Sequence, residues 1–330
     1  MLPPAPSSPV DPTGRPALGA YAGYTSTTRW QGLHPADRGK LWTALHEKRW
    51  HYMSIAGPEV VVAFAIVDVG WATSAFAYVF DRRARQLLSN VTSMGLPGVS
   101  AHVSDAPGDG ARSTFRTPFL ALELERPAGS GAWLVHARGT GGLAIDATLS
   151  VTGAPPPLCA VASIEGGVAN CTHKTVGLAA SGTAVAGGTR FELTGCTAAL
   201  DHTSGILARD TRWRWASASA PGFGLNLVEG FNGPVENAVW LDGDVIPVGA
   251  ATFTFDPAAT MAPWTIRTDD GRVDLEFVPE GERREDKNLL VAVSRYVQPI
   301  GVFRGRVQAG GRTVAVVDIP GVTEDHVARW

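Results

Sequence analysis

A chain of 330 residues is long for one hydrophobic core, so two domains are expected. The net charge of −3 at pH 7 excludes the strongly basic surface that nucleic acid or an anionic membrane would attract. A content of 45% hydrophobic and 18% charged residues is typical of a globular protein. No apolar run approaches the ~20 residues of a membrane helix, and the N-terminus lacks the features of a signal peptide. We therefore expect a cytoplasmic protein without stable membrane insertion.

Glycine, proline and tryptophan are the informative residue types. The 38 glycines and 23 prolines, in a chain with few long helical patterns, predict many short strands separated by turns. Some of the ten tryptophans will be core, but that many bulky rings also suits a protein that encloses an aromatic-lined cavity.

The three cysteines, Cys159, Cys171 and Cys196, form no CxxC or Cys/His pattern of metal-ligand spacing. Their odd number argues against a disulfide framework, although a Cys159–Cys171 bridge remains open. No P-loop, dinucleotide fingerprint or serine-protease elbow occurs. The sequence therefore predicts neither a metal site nor a cofactor.

The first segment, residues 1–35, is rich in proline, glycine and serine, which predicts a flexible N-terminal arm. Tyr21, Tyr24 and Trp30 could anchor parts of this arm to the body of the protein. The segment that follows, Arg38–Trp50, is the best helical candidate in this half because its apolar residues recur at helical spacing.

From Lys48 onward the pattern indicates β-structure. Val60–Val69 is a nearly continuous apolar run whose β-branched residues and flanking glycines favour a strand over a buried helix. Further strands are predicted over Trp71–Phe80, Ser113–Phe115, Phe119–Glu125, Ala132–Ala137 and Leu143–Val151.

The sharpest change in composition is Gly153–Pro157, because its three prolines cannot continue a β-ladder. It predicts either a linker or a crossing loop between two β units, an N-terminal one over residues 36–157 and a C-terminal one over residues 158–330. The second half is again a series of short strands at fairly regular spacing, which is typical of sandwiches and barrels. They are predicted over Phe191–Leu193, Ala198–Leu200, Arg212–Ala216, Gly224–Val228, Ala238–Leu241, Ala251–Phe255, Trp264–Thr268, Val273–Phe277, Leu290–Val297, Gly301–Val307 and Thr313–Ile319.

The middle of the second half combines acidic, imidazole and aromatic side chains. Asp201 and His202 are followed, beyond a glycine, by alternating arginine and tryptophan. In a strand Trp213 and Trp215 would share one face and the intervening arginines the other. A ring-walled surface with an acid and an imidazole at its mouth suits an apolar ligand with one polar or reactive end.

An ordered set of motifs runs through the chain and resembles a known family. In the first half the motifs are Lys48-Arg-Trp50, Asp68-Val-Gly70 and Phe76-Ala-Tyr78 with Asp81. In the second half they are Cys171-Thr-His-Lys-Thr-Val-Gly177, Ala180-Ser-Gly182, Asp201-His-Thr-Ser-Gly205, Thr211-Arg-Trp-Arg-Trp-Ala216, Gly224-Leu-Asn-Leu227, Glu236-Asn237, Asp274-Leu-Glu-Phe-Val-Pro279, Gln298 with Gly301, Phe303 and Gly305, and Glu324-Asp-His326 with Trp330. Over roughly residues 40–330 this pattern resembles the bacterial family called domain of unknown function 2804.

The resemblance implies an all-β fold of two consecutive lipocalin-like antiparallel β-barrel or sandwich units with few short helices. The wider group of this fold includes the AttH-like proteins, the acyclic carotenoid hydratases and β-barrel cyclases. Members with known chemistry add water to, or cyclise, an apolar polyene or terpenoid without a redox cofactor. The family itself implies no activity, since a shared fold does not transfer function.

Asp201 and His202 are the predicted catalytic residues. Hydration or cyclisation of an alkene needs a proton donor, either a carboxyl kept protonated by apolar surroundings or an Asp–His pair that shares a proton. Neighbours in a regular strand face opposite sides, so the pair can converge only at a turn or bulge, which Asp-His-Thr-Ser-Gly resembles. A hydrogen-bonded turn without chemistry is the alternative. Aromatic faces would shelter the cation, and the predicted wall consists of Trp213, Trp215, Trp240 and Trp264.

Five other polar residues are predicted to contact a ligand. His173 and Lys174 could hold an anionic or carbonyl group, or Lys174 could form a salt bridge between the domains. Glu229, Glu236 and Asn237 would orient a ligand if they face a barrel interior, and would only solvate a turn if they face outward.

The C-terminal segment is interpreted as structural. Thr323 could cap a final helical turn. Glu324-Asp-His326 is then read as a capping and tail-docking device rather than as a catalytic set.

Two functions from different classes fit these residues, and both have a hydrophobic small molecule, not nucleic acid, as the partner. The first is a cofactor-independent enzyme that hydrates, isomerises or cyclises an isoprenoid-like molecule by acid initiation. The second is a lipocalin-like carrier that binds such a molecule without chemistry. A structural module with solid barrels would have no sizeable cavity. The cavity could lie in either barrel or between them, and the oligomeric state stays open.

Overall fold

A computed structural model describes residues 1–34, 39–288 and 293–329. The described chain is almost entirely antiparallel β-structure in two large curled sheets, which confirms the all-β prediction. Its one α-helix, α1, covers Lys40–His46, and short 3-10 turns cover Thr140–Gly142 and Gly233–Glu236. No helix among the described residues is long and apolar enough to cross a membrane.

The first sheet contains fourteen strands. In chain order they are β1 (Gly19–Ala22), β2 (Glu47–Ala56), β3 (Val60–Asp68), β4 (Thr73–Asp81), β5 (Gln86–Gly95), β6 (Ala101–His102), β7 (Arg112–Arg116), β8 (Leu120–Glu125), β9 (Ala132–Gly139), β10 (Leu143–Ser150), β11 (Leu158–Ser163), β12 (Ala169–Ala186), β13 (Thr189–Glu192) and β14 (Thr197–Ile206). Strands β12 and β14 lie in the middle of this sheet, because β14 pairs with β2 and β12 pairs with β10.

The second sheet contains nine strands. They are β15 (Asp210–Ala220), β16 (Phe223–Gly230), β17 (Ala238–Leu241), β18 (Asp244–Pro247), β19 (Ala251–Thr254), β20 (Trp264–Thr268), β21 (Val273–Asn288), β22 (Val293–Ala309) and β23 (Arg312–Arg329). The long strands β21–β23 bend where their register shifts. At one such bend Gly305 has φ +128°, and an added Cβ would lie 2.3 Å from the carbonyl oxygen of Asp274, so only glycine fits there.

Several strands of the first sheet are buried on both faces. In β3 the side chains of Val62 and Phe64 fill the core of the first sheet, while those of Val61 and Ala63 face the second sheet. This burial explains the nearly continuous apolar run Val60–Val69, because a strand that is covered on both faces has no solvent-exposed face on which polar residues would alternate. The core of the second sheet is likewise filled, and Trp264 is fully buried in it.

The two sheets pack directly against each other. Tyr78 and Phe80 of β4 form one apolar cluster with Ile300 of β22 and Val322 of β23. The guanidinium of Arg82 adds a two-pronged contact to the carboxylate of Glu280, with both N–O distances 2.8 Å.

The N-terminal arm is not loose over its described part, which corrects the prediction for residues 1–35. Strand β1 pairs with β11, and the side chains of Thr25 and Thr28 are buried. The sequence could not reveal this pairing, because a proline- and glycine-rich segment gains its order from a partner strand distant in the chain.

Three further expectations are corrected or fall outside the described residues. The helix predicted over Arg38–Trp50 ends at His46, because the chain enters β2 at Glu47; Arg38 itself is not described. Thr323 caps no helix, since it lies inside β23. The strand predicted over Leu290–Val297 begins at Val293 in the described chain, and Trp330 is also outside it.

Sheet pairing does not change at Gly153–Pro157, where the sequence predicts the boundary between residues 36–157 and 158–330. Strands β11–β14 belong to the first sheet, and the second sheet starts at Asp210. The prolines mark a crossing loop rather than a linker, and after it the chain returns to fill the gap between β2 and β10.

This topology predicts how fragments will fold. We expect residues 1–207 to unfold cooperatively in urea, whereas residues 1–157 should not, because without β12 and β14 the strands β2 and β10 each lose one of their two partner strands. Near-UV circular dichroism during urea denaturation measures the difference. A cooperative transition of residues 1–157 equal to that of residues 1–207 would contradict the assignment.

Candidate active site

A cavity lies between the facing surfaces of the two sheets. It includes about 730 Å³ of space, counting the part open to solvent. Strands β2, β3, β4, β12 and β14 supply one wall, and β15, β16, β22 and β23 supply the other together with the Gly233–Glu236 turn. The location that the sequence left open is therefore the space between the two units.

Tryptophans form much of the cavity wall. The rings of Trp50 and Trp213 are stacked, with centroids 6.4 Å apart, and Phe231 lies 5.4 Å from Trp213. Trp215 meets Tyr52 edge-on at 5.3 Å. The expectation that Trp213 and Trp215 share a face is confirmed.

The indole N–H groups of Trp50, Trp213 and Trp215 each donate a hydrogen bond to a polar side chain. Trp213 donates to Glu324 over 2.7 Å, Trp215 donates to Asn226 over 2.7 Å, and Trp50 donates to Asp201 over 3.2 Å. Because these bonds satisfy the polar edge of each ring, the apolar parts of the rings are fixed in position for a ligand.

A buried ion cluster forms one part of the site. The ammonium of Lys174 lies 2.7 Å from Asp201 Oδ2 and 2.8 Å from Glu236 Oε1. Asp201 is opposite Lys174 in the pairing of β12 with β14, and Glu236 comes from the turn between β16 and β17. Lys174 therefore forms the salt bridge between the two units that the sequence allowed, and it also lines the cavity. That it holds a ligand group stays a prediction.

Asp201 is held by four donors. Its Oδ1 accepts from the hydroxyls of Thr172 (3.0 Å) and Thr203 (2.8 Å), and its Oδ2 contacts Lys174 and Trp50. Burial alone would raise the pKa of this carboxyl, but Lys174 and the hydrogen bonds outweigh burial and hold the pKa below its usual value. These contacts favour the carboxylate and argue against Asp201 as the proton donor.

A second carboxyl, Glu324, lies on the opposite wall. Its Oε1 accepts from Trp213, and its Oε2 accepts from the amide of Gln298 over 3.1 Å. The hydroxyl of Tyr78 donates to Gln298 over 2.9 Å and so fixes the orientation of that amide. Among the described residues Glu324 forms an ion pair with His326, whose Nδ1 lies 3.6 Å from its Oε1. Glu324 is thus a buried carboxyl held mainly by neutral donors.

His326 sits between aromatic rings. Its ring centroid is 4.3 Å from that of Trp213 and 5.2 Å from that of Tyr296, and its Nε2 lies 3.0 Å from the hydroxyl of Ser294. Across the β15–β23 ladder Trp213 is opposite His326 and Trp215 is opposite Glu324. The sequence interpretation of Glu324-Asp-His326 as a capping device is therefore wrong, because in a strand the first and third residues share a face, here the cavity face.

A second cavity of about 890 Å³ adjoins the first. The two share Phe76, Tyr296 and His326 as wall residues. Buried Arg283 lines the second cavity, and its guanidinium lies 3.9 Å from the ring centroid of Phe76. The two cavities can therefore accommodate a ligand longer than the first alone.

Five of the predicted ligand contacts lie elsewhere: Trp240, Trp264, Glu229, Asn237 and His173. Trp264 is in the core of the second sheet, stacked on Phe255, and Trp240 is buried with its N–H donating to the carbonyl of Pro156. Glu229 pairs with Arg214 over 2.8 Å, and Asn237 caps backbone groups of Val228 and Gly249. The sequence cannot distinguish a tryptophan that is buried in a core, as Trp240 and Trp264 are, from one that is buried in a cavity wall.

The expected convergence of Asp201 and His202 is wrong. Both lie in the regular strand β14, so their side chains point to opposite faces. His202 points into the first sheet, where its Nε2 lies 2.7 Å from the carbonyl oxygen of Ser104. It is flanked there by His51 at 4.9 Å and by His173 at 6.3 Å between ring centroids. For the same reason His173 lies on the face opposite Lys174.

The structure also assembles a group of metal-binding residue types that the sequence did not predict. Cys159, Cys171 and His173 are buried, and their ligand atoms all lie within 4.8 Å of one another. The sequence signal for this group is the spacing Cys171-Thr-His173, which puts the cysteine and histidine side chains on one face of a strand. Bringing Cys159 beside them required the register of the β11–β12 hairpin.

Cavity residues that sequence reasoning missed come mainly from the first half and from the last strands. Trp50 and Tyr52 alternate along β2, and Tyr296 is opposite His326 in the β22–β23 ladder. Only the alternation of aromatic residues in the first case could have been noticed beforehand.

The structure defines a two-sheet, lipocalin-like fold with an aromatic-walled cavity between its sheets. The model of the family described as domain of unknown function (DUF2804) matches residues 10–330, and the chain belongs to that family. This confirms the resemblance drawn from the motifs. No curated protein matches the sequence.

Solved structures of low sequence identity share this fold. CghA in complex with Sch210972 superposes with a TM-score of 0.58 at 11% identity, over 86% of this chain and 88% of that one. A putative AttH from Nitrosomonas europaea gives 0.53 at 13% identity, over 87% and 93%. Kievitone hydratase from Nectria haematococca gives 0.52 at 11% identity, over 97% of each chain.

The ion cluster predicts a large loss of stability when its cation is removed. Lys174→Met leaves the carboxylates of Asp201 and Glu236 buried without their counter-charge. We expect a loss of about 3–5 kcal/mol in the free energy of unfolding, measured by urea denaturation. Arg267→Met, at the exposed Arg267–Asp274 pair, is the control and should cost less than about 1 kcal/mol. Equal losses would contradict the role given to Lys174.

Buried His202 predicts a pH dependence of stability. Burial lowers its pKa from 6.5 to about 3, so the folded protein keeps this ring neutral while the unfolded chain takes up a proton. The contribution of His202 to the free energy of unfolding should therefore fall by about 1.4 kcal/mol per pH unit as pH decreases from about 6.5 towards 3. Buried His51, whose pKa is also lowered by burial, adds to the measured slope. His202→Gln, which keeps a donor for Ser104, should reduce this slope. His102→Gln, at an exposed histidine, should leave the slope as in wild type. An unchanged slope in His202→Gln would refute the assignment.

Proposed function

We propose that this protein is an enzyme that protonates an apolar small molecule in the cavity between the sheets and so starts a hydration, an isomerisation or a cyclisation. The observation that carries the proposal is that the three carboxyls of one aromatic-walled cavity, Asp201, Glu236 and Glu324, lie in two different environments. Asp201 is fixed as a carboxylate by Lys174, whereas Glu324 has mainly neutral donors around it. Such a difference in environment is how paired carboxyls acquire different roles.

Glu324 is the proposed proton donor. Its proton forms a new C–H bond with one carbon of a double bond, and the other carbon becomes a cation. Addition of water followed by loss of a proton completes hydration, and loss of a neighbouring proton completes isomerisation. In cyclisation a second double bond first attacks the cation to form the ring bond, and the new ring cation then loses a proton or adds water. The proton released in that step returns to Glu324, and His326, 3.6 Å away, can relay it.

The aromatic wall and Lys174 have separate proposed roles. The faces of Trp50 and Trp213 stabilise the cation through their quadrupoles. Lys174, with two of its three protons used by Asp201 and Glu236, holds a carbonyl or hydroxyl group of the ligand. The apolar body of the ligand would extend past Phe76 towards the second cavity.

Two structural neighbours support chemistry or ligand binding on this fold. One is named as a hydratase of kievitone, and CghA was solved together with Sch210972. The isoprenoid-like substrate and the cytoplasmic location expected from the sequence stay predictions. A carrier would use the same apolar walls, but it would need no carboxyl that can exchange its proton.

The first test identifies a ligand and follows its hydrogens. The protein is purified from a related host, and mass spectrometry of a solvent extract identifies the bound molecule. That molecule is then returned to the protein in D₂O. We expect wild type to convert it or to place deuterium on carbon, and Glu324→Gln to do so at least about 100-fold more slowly while binding it with similar affinity.

The matched control is Glu276→Gln, at an exposed glutamate of β21, which should react as wild type does. A molecule that wild type binds and returns without deuterium or conversion would support the carrier instead. Full activity in Glu324→Gln would refute Glu324 as the acid.

A further inference from the structure

The face of β12 turned away from the cavity carries a compact group of soft ligand atoms. Cys171 and His173 alternate along β12, and Cys159 on β11 is directly opposite His173 in the hairpin ladder. The two sulfurs and one ring nitrogen lie within 4.8 Å of one another. Cys159 and Cys171 are fully buried and His173 is 1% exposed.

The N-terminal arm covers this group. Tyr21 of β1 is opposite Cys159 in the β1–β11 ladder, and Ala5 and Trp30 pack with Tyr21 on the two cysteines. Residues of the arm from Ala5 to Trp30 therefore cover the site from one side. Water is excluded from a site that holds three polarisable or polar groups.

The orientation of His173 leaves one ring nitrogen available. Its Nε2 is 3.2 Å from both the backbone nitrogen and the hydroxyl of Thr25. Its Nδ1 is buried and has no hydrogen-bond partner among the described residues. A buried nitrogen without a partner costs free energy unless something else binds it.

We propose that Cys159, Cys171 and His173 form a binding site for a zinc-like, thiophilic metal ion. Two thiolates and an imidazole are ligands that select zinc or copper(I) over magnesium or calcium. Two thiolate charges neutralise a divalent ion, so the loaded site adds no net charge to an apolar interior. In the structure Nε2 accepts from the backbone N–H of Thr25. A metal on Nδ1 moves the ring proton to Nε2, which then donates to the hydroxyl of Thr25 instead, the usual second contact of a metal-bound histidine.

The role of this site is structural and is independent of the proposed reaction. His173 faces away from the cavity that Lys174 lines, so the metal would not touch the ligand there. Instead it stabilises the β11–β12 hairpin under the arm. Failure of this proposal would leave the proton-transfer chemistry unaffected, and the reverse also holds.

Zinc binding to the full chain is the test. The protein is purified under reducing conditions, stripped with a chelator and titrated with zinc against a chromophoric chelator. We expect one zinc per chain and binding at least about 100-fold weaker in Cys159→Ser and Cys171→Ser. Thr25→Ala, which removes only the second contact, should weaken binding about 10-fold. Cys196→Ser is the matched control, because Cys196 is also a buried cysteine but lies outside this group, and it should bind as wild type does.

A measurement on wild type alone guards against variants that fail to fold. Cobalt(II) in place of zinc should give the near-ultraviolet charge-transfer band of thiolate ligation. The proposal is overturned if wild type binds zinc no more tightly than the two serine variants, or if bound cobalt lacks the thiolate band. It is also overturned if Cys196→Ser removes the zinc.

Discussion

The ammonium of Lys174 is the interaction on which the arrangement of the cavity depends. It joins Asp201 in the first sheet to Glu236 in the second, and both carboxylates are otherwise surrounded by protein. Burying three ionisable groups is favourable only while their geometry satisfies all of them, so the cluster specifies the spacing of the sheets more than it adds stability. The stacked tryptophans and the neutral environment of Glu324 both rely on that spacing.

Because side chains alternate between the two faces of a strand, β12 and β14 each contribute residues to two separate environments. Along β12 and β14 the side chains of Lys174 and Asp201 face the cavity, while those of His173 and His202 lie on the opposite face of the same sheet. Residues adjacent in sequence therefore belong to different environments, one lined with aromatic rings and one containing imidazoles and thiols. A substitution on one face can alter the other only through the backbone they share.

The sequence predicts local features of this protein better than distant ones. The many strands, the shared face of Trp213 and Trp215, and the family all follow from patterns within a few residues. The paths of β12 and β14 do not, since their partners β10 and β2 are chosen by long-range packing. For the same reason the sequence predicts a turn that joins Asp201 to His202 and does not reveal the ion cluster. The prediction for Glu324 is wrong because capping motifs and strand alternation use the same residue types.

The central position of β14 has a consequence for synthesis on the ribosome. Strand β2 ends at Ala56, but its partner β14 is complete only at Ile206. At about 5–20 residues per second, one edge of β2 waits roughly 10–30 s for its partner. During that interval the nascent chain presents the apolar β2–β4 ribbon with an open edge, which is the form of β-structure most prone to pair with another chain. Slow translation of residues 57–206 therefore lengthens the period in which the nascent chain is exposed to aggregation.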